Sequence, residues 1–397
     1  MEPAMGLMSF LFGDRPRRGG PEPLLPLDGY APVSQDTMAA INELSRVVKN
    51  NPDAVEIYLA LGNLYRSHGE IERAVQIRNN LIVRPGLDNR FKGRAWYELG
   101  RDYKRGGFLD RAHHAFEEAR GLLGDEEPIL VELAALAAVA GDFETAARHY
   151  ERLGHRVAQA HFMVRRAQQA YAEGEESAAR RWLSRGLKVY PGSVEGWLTR
   201  LELARRAGDW NKVGAELRLA LANVPPDLRF VLLEELIRQT RETSPLDGQP
   251  RASGAGWEAG DVLSLPEAKL AAGGEADMCR AVIPVLEEQP PDLLLEYYGA
   301  WIYLLCGDVE KAKGWFERTL VVNPDFWPAR LELLALAARE QPLSSVFEVQ
   351  LGFFIGQARH VKRFVCRTCG LRREQVFFSC PRCRSWHSIG FRLELSD

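Results

Sequence analysis

The chain has 397 residues, 46% of them hydrophobic and 26% charged, with a formal net charge of −3. That length is long for one compact core, so more than one domain or an elongated repeat architecture is expected. The composition is that of an ordinary folded soluble chain, and the near-neutral total excludes a whole-chain electrostatic pull toward nucleic acid.

No export signal is readable, and no run of about 18 to 20 apolar residues exists that could cross a bilayer. The segment from Met5 to Phe12, MGLMSFLF, is too short to span. Two readings stand for it: a plain apolar start, or a patch that dips into a membrane interface while Arg15, Arg17 and Arg18 meet headgroups. A chain without an export signal is expected in a reducing cytoplasm, where paired cysteines bind metal more often than they form structural disulfides. Residues 13–33 are crowded with Pro and Gly and lack helical periodicity, so residues 1–33 are expected to be a flexible leader.

From residue 34 a repeat emerges at a period near 34 residues, which predicts stacked helical pairs: an all-α tetratricopeptide-repeat solenoid over residues 34–343. The clearest unit carries Trp96, Leu99, Gly100 and Tyr103, then Gly106 and Gly107, then Ala112, Phe116 and Ala119. Small residues at a helix crossing let two backbones approach, and the aromatics fill the space on either side. The unit before it has Leu61, Gly62, Tyr65, Gly69 and Ala74; later units keep the frame through Gly141, Gly174, Gly208, Gly274 and Gly307. Glycine suits those inter-helix positions because a helix often ends in a left-handed conformation. Residues 227–243 read as one helix, and residues 244–261 as an irregular insertion inside a continuous solenoid. Cys279 and Cys306 fall on helical positions and read as packing residues. Residues 344–359 predict an apolar connecting helix. Since a closing solenoid helix should present a polar face, Phe347, Leu351, Phe353, Phe354 and Ile355 are expected to bury against the cysteine-rich segment C-terminal to them.

That segment, residues 360–397, contains Cys366-x2-Cys369-x10-Cys380-x2-Cys383. Two short C-x-x-C loops facing one another place four thiolates around one point, a tetrahedral cage for one metal ion, zinc or iron. A segment so short cannot bury enough core to fold alone, so the metal is expected to supply much of its stability. Short strands are predicted around residues 363–365, 375–378 and 388–391, a rubredoxin-like or zinc-ribbon β module. From Arg359 onward there are nine Lys/Arg against three acids, a local charge of +6 that leaves the rest of the chain at −9. This basic, aromatic tail suits docking on the acidic solenoid; the alternative is a nucleic-acid-binding zinc ribbon on a repeat scaffold. Electron transfer at an iron site is a third reading.

No phosphate-binding loop, dinucleotide fingerprint or nucleophile elbow is present, and His149, His155 and His161 are spaced as solvated histidines, so no catalytic residue and no small-molecule substrate are expected. The repeat frame places Asn63, Arg66, Tyr97, Arg101, Lys104, Arg105, Gln168, Tyr171, Arg205 and Arg206 on the first helices that line the groove. That set suits an acidic or carboxylate-ending peptide, or is a solvated face.

YLALGNLYRSHGEIERAVQIRNNL (58–81), WYELGRDYKRGGFLDRAHHAFEE (96–118) and the closing CRTCG…CPRCRSWHSI resemble the lipopolysaccharide assembly protein B family, tetratricopeptide proteins with a C-terminal rubredoxin-like metal domain. The resemblance implies a non-enzymatic adaptor of the bacterial inner membrane that partners the protease FtsH and promotes degradation of the deacetylase LpxC. It implies Cys366, Cys369, Cys380 and Cys383 as metal ligands. Family members carry an N-terminal transmembrane helix and this chain starts differently. The expectation is therefore a cytoplasmic protein, at the inner-membrane face through peripheral contact or serving another client.

Overall fold

The structure is a computed structural model that describes residues 35–50, 54–242, 274–341, 343–359, 361 and 363–393. The leader expected at 1–33, with its Met5–Phe12 patch, and the irregular segment expected at 244–261 lie outside the described residues. The helices are α1 (Gln35–Asn50), α2 (Val55–His68), α3 (Ile71–Ile82), α4 (Asn89–Arg105), α5 (Leu109–Leu123), α6 (Glu127–Val139), α7 (Phe143–Arg152), α8 (Arg156–Ala172), α9 (Glu176–Val189), α10 (Val194–Arg206), α11 (Trp210–Asn223), α12 (Arg229–Glu242), α13 (Gly274–Glu287), α14 (Leu293–Leu305), α15 (Val309–Val322), α16 (Trp327–Glu340) and α17 (Ser345–Arg359). From α2 onward they alternate as first and second members of antiparallel pairs, the expected all-α tetratricopeptide-repeat solenoid.

The turns have a local cause. Gly69, Gly107, Gly141, Gly174, Gly208 and Gly307 adopt φ between +68° and +88°, just past the first helix of each pair, where a Cβ would be strained. Gly274 departs from the expected role, being the first residue of α13 rather than a residue of the turn before it.

Pairs pack through the small residues. A Cβ on Gly100 would sit 2.7 Å from Phe116, whose ring is fully buried beside Ala112 and Ala119. A Cβ on Gly62 would likewise collide with the Arg78 guanidinium, and one on Gly299 with the Trp315 ring. Replacing Gly100 with alanine should overpack the α4–α5 crossing and destabilise the fold by about 1–3 kcal/mol. Urea unfolding checks this, and an unchanged midpoint would mean the two helices part freely.

The helices on the two sides of residues 243–273 share one stack: α13 packs against α11 and α14, and α12 against α10 and α14. Gly214 of α11 lies so close to α13 that a Cβ there would be 2.9 Å from the Ala281 carbonyl oxygen. One apolar core runs from Leu187 through Leu232, Val282 and Ala312 to Phe364 and Ile389. Within it Cys279 of α13 is disulfide-bonded to Cys306 at the end of α14, Cα atoms 5.9 Å apart. This corrects the reading of the two as separate packing residues: adjacent helices bring together positions 27 residues apart.

The closing module has strands β1 (Phe364–Cys366), β2 (Arg372–Arg373) and β3 (Ile389–Phe391) in the antiparallel order β2-β1-β3, with Phe364 opposite both Arg373 and Phe391. It does not cover α17. Phe347, Phe353 and Phe354 stay 54%, 56% and 64% exposed, and of the five apolar residues expected to bury only Ile355 is fully enclosed. The module is folded back instead onto the face lined by the first helices, where an aromatic floor and opposite charge await it.

Candidate metal centre and its seat in the groove

The four cysteines arrive from two tight loops. Gly370, at φ +71°, turns the chain after the first pair, and the Gly370 amide donates to the Cys366 carbonyl at 2.8 Å. The Cys380 amide donates to the Ser385 carbonyl and the Arg384 amide to the Cys380 carbonyl, both at 2.8 Å, closing the second loop. The four Sγ atoms all lie within 4.8 Å of one another, with Cys366–Cys383 and Cys369–Cys380 at 3.7 Å. A tetrahedron of ~2.3 Å metal–sulfur bonds has edges of about 3.8 Å, so the donor set fits a four-coordinate thiolate-loving ion.

Hydrogen-bond donors already converge on the sulfurs. Burial works to raise the Cys366 thiol, but the Ser388 and Ser385 hydroxyls and the Cys369 and Thr368 amides outweigh it and bring it down to about 5. Cys380, facing the Cys383 and Arg382 amides, is pushed up by burial to about 12. Amides of Leu371 and Ser385 serve Cys369 and Cys383. Such donors favour thiolates over thiols, the form a metal needs.

The module's seat is the concave face. Phe364 stacks on Phe230 of α12 at 6.1 Å between ring centroids, and Phe391 meets Phe230, Tyr297, Tyr298 and Phe326. Trp386 enters a second aromatic pocket formed by Tyr150, His161 and Phe162, with its ring 4.8 Å from that of His161. Two ion pairs and a histidine–carboxylate hydrogen bond fasten the seat: Arg384 with Glu132 at 3.3 Å, Arg367 with Asp227, and His387 with Glu195 at 3.0 Å. Arg384 and His387 are also the non-glycine residues at positive φ among the described residues, at 57° and 48°. That backbone is costly for side chains with a Cβ, and here it aims both across to the solenoid.

Glu195 is the centre of the clamp. It is 5% exposed and accepts from His161 Nδ1 at 2.8 Å, His387 Nε2 at 3.0 Å and Ser193 Oγ at 3.3 Å. The reading of three solvated histidines is corrected for two of them: His161 is a clamp residue, and His149 is buried and drops to about 4 through burial and the neighbouring Arg120 and Arg152, whereas His155 is exposed and caps α8. Motif spacing could not reveal the clamp, because His161 and His387 are 226 positions apart and meet only on a carboxylate between them.

The groove residues do not all meet. Asn63 Oδ1 accepts from Arg66 and Arg78; Arg66 also binds Glu98 and Asp102 at 2.8 and 2.7 Å. Tyr97 carries the Arg101 guanidinium over its ring, and Arg101 reaches Glu98 at 3.3 Å. Lys104 donates to Glu132 at 2.6 Å, and Arg105 is exposed. Gln168 donates to Thr199, while Arg205 and Arg206 share Glu202, with Arg206 over Tyr171. The structure therefore gathers Asn63, Arg66, Tyr97, Arg101 and Lys104 into one network and keeps Gln168, Tyr171, Arg205 and Arg206 apart from it. The missed partners are the carboxylates Glu98, Asp102 and Glu132, buried among apolar residues in the first helices. Burial works to raise Glu132, but Lys104 and Arg384 hold it below the usual carboxylate range.

Among the described residues no helix is long and apolar enough to cross a membrane. A tetratricopeptide repeat family model matches residues 34–79. Lipopolysaccharide assembly protein B of Escherichia coli (strain K12) is 24% identical over 365 residues, covering 90% of this chain and 86% of that protein. The protein of the same name from Haemophilus influenzae is 24% identical over 352 residues, covering 84% of this chain and 78% of that one. A solved tetratricopeptide repeat protein from Parabacteroides merdae aligns with 75% of this chain and 98% of its own at a TM-score of 0.32 and 16% identity. Along nine tenths of its length the chain is thus similar to proteins named lipopolysaccharide assembly protein B, and it carries a tetratricopeptide repeat match and a four-cysteine cluster.

Proposed function

We propose that the chain is a non-enzymatic adaptor whose solenoid holds protein partners and whose closing module, residues 360–397, binds one structural metal ion. By its resemblance it acts in the control of lipopolysaccharide synthesis at the cytoplasmic side of the inner membrane, with FtsH and LpxC as the partners to test. The observation that carries this reading is coverage: similarity to the named relatives runs through most of the chain rather than the common repeat alone. The part of the groove around Asn63, Arg66, Tyr97, Arg101 and Lys104, beside the docked module, is where we place an acidic partner segment. Arg66, Arg101 and Lys104 already bind Glu98, Asp102 and Glu132 but stay in part exposed, and charge-assisted bonds to a further carboxylate are the natural use of such groups.

Affinity capture from the native cell, read by mass spectrometry, should return a small set of proteins. The double reversal Arg101→Glu and Lys104→Glu, with helix content checked by circular dichroism, should lose at least one of them. If every partner stays bound, the groove assignment is wrong. Salt-dependent binding of nucleic acid by the wild-type protein at low ionic strength would point to the zinc-ribbon alternative. Against that alternative stands the use of Arg367 and Arg384 in docking.

A further inference from the structure

Two hydroxyls press on one edge of the cysteine cluster. Ser385 Oγ lies 3.0 Å from Cys383 Sγ and 3.6 Å from Cys366 Sγ, and Ser388 Oγ lies 3.2 Å from Cys366 Sγ. The two oxygens are 2.7 Å apart, and the Ser385 carbonyl is 3.4 Å from Ser388 Oγ. Each hydroxyl carries one proton, so two protons are shared among two sulfurs, a neighbouring hydroxyl and a carbonyl. Once the sulfurs are metal-bound thiolates they are the charged acceptors, and charge-assisted bonds are roughly twice as strong as neutral ones.

We propose that Ser385 and Ser388 are positioning residues of the metal centre, orienting Cys366 and Cys383 and dispersing the negative charge that four thiolates leave on a divalent ion. Cys369 and Cys380 receive backbone amides, so the cage is asymmetric, with its hydroxyl-served edge on the turn after Cys383. That turn alternates its duties over four consecutive residues. Ser385 and Ser388 face the sulfurs, while Trp386 and His387 face the groove. The metal and the docking clamp are thus held by one short stretch of backbone, and Ser388, 8% exposed, has its hydroxyl enclosed with the Cys366 sulfur and Ser385. No metal-ligand spacing predicts these serines, because they supply no ligand atom.

The test uses the full chain, loaded separately with zinc and with iron, and follows metal loss to excess chelator. Ser385→Ala and Ser388→Ala should each weaken apparent metal affinity by about 10-fold or more, the usual consequence of removing an outer partner of a metal ligand. Ser385→Thr, which keeps the hydroxyl, should stay near wild type, and so should Ser379→Ala elsewhere in the module. In the iron form both alanine variants should shift the sulfur-to-iron charge-transfer band and make the ion harder to reduce, effects that a merely loosened fold would not produce together. Alanine variants that keep wild-type chelator kinetics and an unshifted band would overturn the assignment. A wild-type chain that retains neither metal would overturn it together with the metal-centre reading, whereas retention by all variants alike would remove only the serines' role.

Discussion

Replacing Cys380 with serine should release residues 363–393 from the concave face while leaving α2 to α7 folded. Cys380 is 1% exposed, and its backbone closes the loop that presents Arg384, Trp386 and His387 to the solenoid. The module has three strands of two or three residues and no apolar interior beyond what it borrows from α12, α14 and α16. For modules this small the metal contributes folding free energy on the order of 10 kcal/mol, more than two part-exposed ion pairs, one buried histidine–carboxylate bond and an aromatic contact supply unaided. Hydrogen exchange and limited proteolysis should therefore show protection lost across 363–393 and at the uncovered His161 and Glu195, with the first repeats unchanged. Chelating the metal from the wild-type chain should reproduce the pattern. Undiminished protection of the module in the mutant would mean that docking, rather than the metal, organises it.

The second large effect is expected at Glu195. Burial alone would raise this carboxyl, yet the hydrogen bonds from His161 and His387 outweigh it and pull it down to about 2. A folded value below the unfolded one means that the clamp's contribution is fully present above about pH 4.5 and is lost as pH falls toward 2. The difference corresponds to on the order of 3 kcal/mol. Glu195→Gln keeps the shape but removes the charge, so it should lower the stability of the docked module by about 3 kcal/mol at neutral pH. It should also abolish the acid-dependent loss between pH 4.5 and 2. Urea titrations followed by hydrogen exchange at residues 384–391 measure both. A variant with the wild-type midpoint and the same acid profile would show that the aromatic seat carries the docking alone.

Much of this molecule is local and therefore legible. The helix pairs arise from a period near 34 residues, the turns from Gly69, Gly107, Gly141, Gly174 and Gly208, and the crossings from Gly100 against Phe116. The four thiolates come from two C-x-x-C loops, since each loop fixes its own two sulfurs. What failed to show were encounters between distant segments. α17 reads as an apolar helix needing cover, but which surface its neighbour prefers depends on an aromatic floor assembled from Phe230, Tyr297, Tyr298 and Phe326 in three different repeats. The groove cations read as open to a ligand because their partners, Glu98, Asp102 and Glu132, look in sequence like ordinary helix acids.

By itself, then, the sequence determines a tetratricopeptide solenoid and a four-thiolate cage, because both arise from spacings within tens of residues. Only the tertiary structure decides that the cage turns back into the groove, that Cys279 meets Cys306, and that His161 and His387 share Glu195. The physical reason is that burial of charge and aromatic surface is settled between repeats, where no local periodicity records which faces will meet.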